Sequence, residues 1–453
     1  MKFSGVSIRA ELKDTLKLAA PIVLTQVGHM SMGMVDTLVA GRIGTTALAG
    51  LGLAANFFWT FTGVAMGALL AFDTCFSQSI GAKDDRALSR YLGQSFWSAA
   101  CVTVLSTMAI LLGWAIYLGV AEEGSTRTAV SEYLQIIVWS TPGLFAFFVL
   151  QRYWQARHRV MEFVLMIVAA NVLNLLLNLA FGLGFWGFPR LEVRGLALAS
   201  LICRYAMLAA GLWFTWRQLR PKSLAPPRVD AGLQRQIFRL GLPAAGHSAL
   251  EVGAFSIATF VVGALGAVPL AAHHVCLMMA AFTFMFPMGF SAAAAVRVGT
   301  YIGAHEPERA RLAGWLCIGV SASVMSTFAL GYLLLSRVLL GWFTHDPAVI
   351  EVGARILVLV AIFQIADGIQ VSTTGALRGL GNTRSAMIAN LIGHYPIGLA
   401  LGLLLCFPAG LGVVGMWGGL AAGLISVAVI LLRVWVVVGR TIHSIKPIAG
   451  GSA

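Results

Sequence analysis

Charge is what this chain has little of. Only 11% of its 453 residues are Asp, Glu, Lys or Arg, less than half of the roughly 25% usual in soluble domains. That scarcity excludes a disordered segment, a nucleic-acid module and an ordinary cytosolic enzyme. Cysteine is sparse too. Cys75, Cys101, Cys203, Cys276, Cys317 and Cys406 stand singly in apolar runs with no C-x-x-C pair, so small core residues are expected rather than a disulfide framework or a metal site. No P-loop pattern occurs, which leaves ATP out as the expected energy source. A polar stretch to Lys17 leads straight into a long apolar run, without the short apolar core and cleavage site of a cleavable signal. No nucleophile–base pair of suitable spacing is found, so an enzyme is not expected, and neither is a cofactor.

What the chain has is apolar length. Hydrophobic residues make up 58%, gathered in runs of about 20, enough to cross a hydrocarbon core. Polar punctuation divides these runs into twelve spans, helical because lipid leaves a closed barrel as the only alternative. The net charge of +13 then reads as a topology signal. Twenty-four of the 31 Lys and Arg fall on one side, in the tail to Lys17, the loops after even-numbered spans, and the end from Arg433 to Lys446. By the positive-inside rule both termini are cytoplasmic and no polyanionic partner is needed. A multi-pass protein of the plasma membrane, a bacterial inner membrane, is expected.

Residues 18–82 align without a gap to residues 240–304 at an offset of 222, with fourteen of 65 positions identical. Pro21 matches Pro243, Gly41 matches Gly263, Gly44 matches Gly266, and Ile80-Gly81-Ala82 matches Ile302-Gly303-Ala304. Six spans precede the second copy, so both copies share one orientation. The expected architecture is an all-α polytopic membrane protein with twelve transmembrane helices in two pseudo-symmetric six-helix bundles, a transporter arrangement. Residues 1–220 form the first bundle, 221–236 a cytoplasmic linker broken by Pro226-Pro227, and 237–453 the second.

Ionisable residues inside a span are costly and therefore candidates for function. Asp36, Glu251 and Asp367 lie deep enough to qualify, each on a polar stripe at helical spacing. Span 1 carries Gln26, His29, Gly33 and Asp36, and span 5 carries Asn171, Asn174 and Asn178, which together suggest a cavity in the first bundle. Span 7 carries His247 and Glu251, span 10 Gln364, Asp367, Gln370 and Thr374, and span 11 Asn390 and His394, which suggest a second. The bland alternative for the amides is interhelical hydrogen bonding. Arg204 in span 6 is the one candidate cation for the acids, unless it snorkels to the outer face. A buried carboxylate can take a proton, or hold Na⁺ or an organic cation, and these occupants exclude one another. The Gly-x-x-x-Gly pairs Gly63/Gly67, Gly398/Gly402 and Gly415/Gly419/Gly423 suit close helix contact.

The segments LKLAAPIVLTQVGHMSMGMVDTLVAGRIG, GLPAAGHSALEVGAFSIATFVVGALG and QIADGIQVSTTGALRGLGNTR closely resemble the multidrug and toxic compound extrusion (MATE) family, in particular its NorM-like branch. The resemblance runs over essentially the whole chain. It implies export of cationic or amphipathic compounds by alternating access in exchange for Na⁺ or H⁺, by a monomer in the lipid bilayer. Asp36 would match the family's first-bundle acid, with Asn174 and Asn178 as polar companions. Glu251 and Asp367 would match the second-bundle carboxylates associated with cation binding, a Na⁺ ion included. One departure stands out: where relatives often have Tyr, this chain has Phe363, so one hydroxyl is missing and the coupling ion stays open between H⁺ and Na⁺. The rivals are a flippase for a lipid-linked sugar, which would favour cationic residues in its cavity, and an ion channel.

Overall fold

The computed structural model describes residues 8–219, 228–445 and 447–448. Residues 221–227 of the expected linker, and the basic residues Lys2, Arg220, Lys222 and Lys446, lie outside the described residues. The described residues contain twelve helices long and apolar enough to cross a membrane: α1 (Ile8–Ile43), α2 (Thr45–Gly81), α3 (Asp85–Val120), α4 (Ser125–Ala156), α5 (Met161–Gly182), α6 (Glu192–Gln218), α7 (Ala231–Gly263), α8 (Ala267–Gly303), α9 (Pro307–Gly341), α10 (Pro347–Gly379), α11 (Arg384–Cys406) and α12 (Gly412–Arg440). The expected all-α, twelve-span fold is present.

The internal repeat has a backbone signature. Gly44 and Gly266 separate the first two helices of each copy with φ of 156° and 112°, a region side chains other than hydrogen rarely enter. The chain therefore turns and restarts a helix at Thr45 and again at Ala267, 222 residues on. Pro21 and Pro243 also sit at equivalent places, inside α1 and α7.

Packing divides the chain into two units whose borders differ from the sequence halves 1–220 and 237–453. One unit comprises residues 27–76 and 85–241, the other residues 1–26, 77–84 and 242–453. Polar clamps account for the reassigned segments. In the unit containing 85–241, Gln234 Nε2 donates to the Gln94 carbonyl (2.9 Å), Ser98 donates to Gln234 (2.8 Å), and Arg90 pairs with Asp230 (3.0 Å). In the other unit, Glu11 is buried against Arg297 and accepts from the Tyr301 hydroxyl at 2.9 Å. There too, Gln78 Nε2 donates to the Gly379 carbonyl (2.9 Å).

Each unit has its own apolar interior. In the first, an aromatic ladder runs from Phe76 through Tyr153 and Trp154 to Phe214, with ring centroids 4.9–5.4 Å apart, a spacing at which ring pairs add to plain burial. In the second, Trp417 and Trp435 are fully buried. Backbones approach closely there through small residues: Gly398 and Gly402 of α11 face Gly423 and Gly419 of α12, as the spacing suggested. Gly63 meets nothing comparable. Two stretches widen into π-helix, Asn178–Gly182 ending α5 and Gly393–Leu399 in the middle of α11. The second contains Pro396, which cannot donate to the regular ladder, and such bulges recur at functional sites.

Candidate functional site

Asp36 is the centre of the first cluster. The 3.6-residue period of α1 turns it inward, where it is 5% exposed. Asn178 Nδ2 donates to its Oδ1 at 2.7 Å and the Ser200 hydroxyl to its Oδ2 at 2.8 Å. Asn178 Nδ2 also reaches Asn174 Oδ1 at 3.2 Å. The sequence reading brought Asp36, Asn174 and Asn178 together and missed Ser200. The signal was available, since Ser200 lies one helical turn before Arg204 on α6. Arg204 itself is buried and does not snorkel. Its guanidinium sits 4.6 Å over the Phe58 ring and donates to Ser140.

Two residues from the first polar stripe lie elsewhere. His29 packs edge-on against Phe147, centroids 6.4 Å apart. Gln26 belongs to the other unit, its Nε2 3.8 Å from Met288 Sδ. The stripe gave the correct face of the helix, but the border between units passes between Gln26 and Val27. Asn171 donates to the carbonyls of Gly28 and Ile167, both at 2.9 Å, the interhelical role foreseen for such amides.

The second cluster joins α7, α10 and α11. Gln370 Nε2 lies between the two acids, 3.1 Å from Asp367 Oδ1 and 3.3 Å from Glu251 Oε1. Asp367 is 5% exposed, and the Glu251 side chain is 16% exposed. His247, one turn before Glu251, places Nε2 3.6 Å from Oε2, while Asn390 Nδ2 reaches its Nδ1 at 2.8 Å. Gln364 donates to the Thr283 hydroxyl. His394 is fully buried with its ring 6.2 Å from Phe255. Among the described residues its two ring nitrogens have no hydrogen-bond partner, and neither do Gln370 Oε1 and Asn390 Oδ1.

Among the described residues no lysine or arginine stands at ion-pair distance from Asp36, Glu251 or Asp367, although the buried Arg204 acts on Asp36 through space. His247 beside Glu251 is the one ionisable base at salt-bridge range. Elsewhere buried acids are matched: Asp73 lies 3.6 Å from Arg152, and Glu11 against Arg297. A desolvated charge without a partner is strongly disfavoured, so a carboxylate in such a place is poised to acquire a positive occupant. Among the described residues no group of three or more His, Cys, Asp or Glu could hold a metal ion.

Phe363, where the resemblance led one to look for Tyr, stacks on Trp417 with centroids 5.9 Å apart. Trp417 Nε1 donates to His273 Nδ1 at 3.1 Å, and the other ring nitrogen meets the Thr259 hydroxyl at 2.8 Å. His273 is a satisfied core histidine.

Comparison with known proteins agrees with this architecture. The MatE family model matches residues 21–180 and 243–404, one match in each repeat. The chain is 33% identical over 438 residues to a probable multidrug resistance protein NorM of Pseudomonas putida, covering 94% of both. It is 32% identical over 434 residues to the multidrug resistance protein NorM of Burkholderia vietnamiensis, again covering 94% of both. Among solved structures it superposes on the eukaryotic MATE transporter AtDTX14 with a TM-score of 0.86 at 19% identity, covering 96% of this chain and 99% of that one. The Vibrio cholerae MATE transporter VcmN in its bent form gives 0.83 at 18% identity, covering 97% and 99%. Repeated helices, two clusters of buried acids and these matches lead to one assignment: the chain belongs to the MATE family of multi-pass membrane transporters.

Proposed function

We propose that the chain is a secondary active multidrug exporter, exchanging H⁺ or Na⁺ for cationic or amphipathic organic compounds by alternating access. The observation that carries this reading is the pair of acid clusters whose direct partners are amides, a hydroxyl and one histidine rather than lysine or arginine. A site of that kind can be neutralised by the coupling ion or by an organic cation, but not by both. Binding of one therefore favours the state that releases the other, which is all that coupling requires. Glu251 and Asp367 take the coupling cation, Na⁺ being one candidate, and Asp36 with Asn174 and Asn178 forms a second control point. Gln364 and His394 border the second cluster and His29 lies in the unit of the first; they complete the polar walls.

The names of the relatives, both multidrug resistance proteins, support small organic compounds as cargo. The distribution of basic residues supports cytoplasmic termini in a bacterial inner membrane. The repeat supports two sequence halves, 1–220 and 237–453, joined by the segment 221–236, in a monomer without a resident cofactor. Deep charges that are mainly acidic favour this reading over a flippase for lipid-linked sugars, whose pyrophosphate calls for cations.

The test is export of ethidium from vesicles under separately imposed Na⁺ and proton gradients. Export driven by one of the two is expected. Ethidium movement indifferent to both, or large unitary currents in electrical recordings, refutes ion-coupled exchange.

A further inference from the structure

One residue pair in the second cluster has a geometry more specific than the lining of a cavity. Asn390 Nδ2 lies 2.8 Å from His247 Nδ1 and 3.4 Å from the His247 carbonyl oxygen. A carbonyl only accepts, so the amide turns its N–H side toward this pair of atoms. With Nδ1 receiving that hydrogen, the neutral imidazole carries its own on Nε2, the nitrogen that stands 3.6 Å from Glu251 Oε2. The opposite oxygen, Oε1, meets Gln370 Nε2 at 3.3 Å. Glu251 thus accepts from Gln370 on one oxygen and has the His247 Nε2 at 3.6 Å, beyond hydrogen-bond length, from the other, while the Ala386 backbone also hydrogen-bonds the His247 ring. The ring, on Glu251's own helix, has a direction set from α11.

The first cluster repeats the scheme with other side chains. Asn174 Oδ1 accepts from Asn178 Nδ2, which donates to Asp36. Asn174 and Asn390 are 216 residues apart, as are Asn178 and His394. Each asparagine lies within one turn before the π-helical segment of its helix. In both clusters an asparagine at this point orients the group that meets the acid.

We propose that Asn390 and His247 are a positioning pair: Asn390 holds the His247 ring in its Nε2–H form, and His247, as a neutral donor, steadies the empty Glu251 carboxylate between one coupling cation and the next. This rests on the exchange reading and adds to it the assignment of His247 as a fixed donor rather than a proton carrier or part of a substrate wall. The 3.6 Å separation closes to hydrogen-bond length with a small side-chain adjustment, as contacts at unliganded sites commonly do.

The experiment uses purified full-length protein in proteoliposomes, exporting ethidium under a gradient of whichever ion drives the wild type. The half-saturating concentration of that ion and the KM for ethidium are measured separately. His247→Gln retains a donor for Glu251 and an acceptor for Asn390 without a titrating ring, and its half-saturating ion concentration is expected to stand nearer wild type than that of His247→Leu. His247→Leu removes both and, like any loss of a neutral donor from the empty, charged carboxylate, is expected to lower the half-saturating ion concentration about tenfold, the lower end for a neutral donor on a charged acceptor, with the ethidium KM unchanged. Asn390→Ala should shift the same quantity in the same direction, and the double variant should shift it no further than His247→Leu, because the asparagine acts through the histidine.

The proposal is overturned if His247→Gln behaves like His247→Leu, since the ring's own proton would then be required. It is equally overturned if His247→Leu matches wild type or needs more of the ion, if the double variant is additive, or if ion affinity and ethidium KM shift together. Should wild-type export ignore both ion gradients, the exchange reading itself fails at that control, before any variant is compared, and this inference falls with it.

Discussion

Gln370→Leu is the most informative single change at the second cluster. Leucine nearly conserves the volume of the buried glutamine, so packing is retained while the amide that serves Asp367 at 3.1 Å and Glu251 at 3.3 Å disappears. A hydrogen bond to a charged acceptor contributes roughly 1.5–3 kcal/mol. The loss falls mainly on the empty site, where both carboxylates lack a cation, and much less on the loaded one. The empty state therefore rises relative to the loaded state by at least one such bond. Apparent affinity for the coupling cation should tighten roughly 10- to 150-fold, and turnover should slow because the ion leaves reluctantly. The assay is ethidium export from proteoliposomes across a titration of the driving ion, read as half-saturating concentration and maximal rate. An unchanged half-saturating concentration would refute the reasoning. So would a weakened one, which would mean that Gln370 ligates the ion through its otherwise unpartnered Oε1.

Three further changes test the framework around the site. Glu11→Gln leaves Arg297 buried without its counter-charge, and breaking a buried pair costs about 3–5 kcal/mol; thermal unfolding of the detergent-solubilised protein should begin markedly earlier, and an unchanged midpoint contradicts the role of this clamp. Trp417→Phe removes the donor to His273 Nδ1 and should lower stability by about 1–3 kcal/mol while leaving the ion dependence of export as in wild type; altered ion affinity would show that His273 is not merely structural. At Asp230 the Leu233 backbone N–H, and after it Arg90, hold the carboxyl below the usual carboxylate range. Its contribution is therefore present at neutral pH and lost as pH falls through that depressed value, below about pH 4. Asp230→Ala should speed deuterium exchange at the start of α7 near pH 7 and make little difference in acid; a difference that persists in acid refutes the capping role.

Much of this was legible in the chain because bilayers permit few solutions. Twelve apolar runs, the glycine pair Gly44 and Gly266, and the Gly-x-x-x-Gly contacts of α11 and α12 follow from length, φ constraints and small-residue spacing. The acids stood out because they occur where charge is expensive. Periodicity, however, says which face of a helix is polar and not which helix it meets. Hence Gln26 separates from His29 and Asp36, Ser200 went unremarked as a donor to Asp36, and Gln370 gave no sign that it lies between Glu251 and Asp367. The π-helical segments after Asn174 and Asn390 rotate the following residues in a way no 3.6-residue pattern encodes. The association of residues 8–26 with 242–453 depends on a clamp between Glu11 and Arg297, 286 residues apart.

The account as a whole stands on the carboxyl groups of Glu251 and Asp367 being where the driving ion acts. The direct measurement is gradient-driven ethidium export by Glu251→Gln and Asp367→Asn, near-isosteric changes that remove one charge each, with membrane insertion checked by the amount of folded protein recovered. The account predicts full insertion and no response to the gradient in either variant. Export at the wild-type rate, rising with the gradient as before, would contradict it.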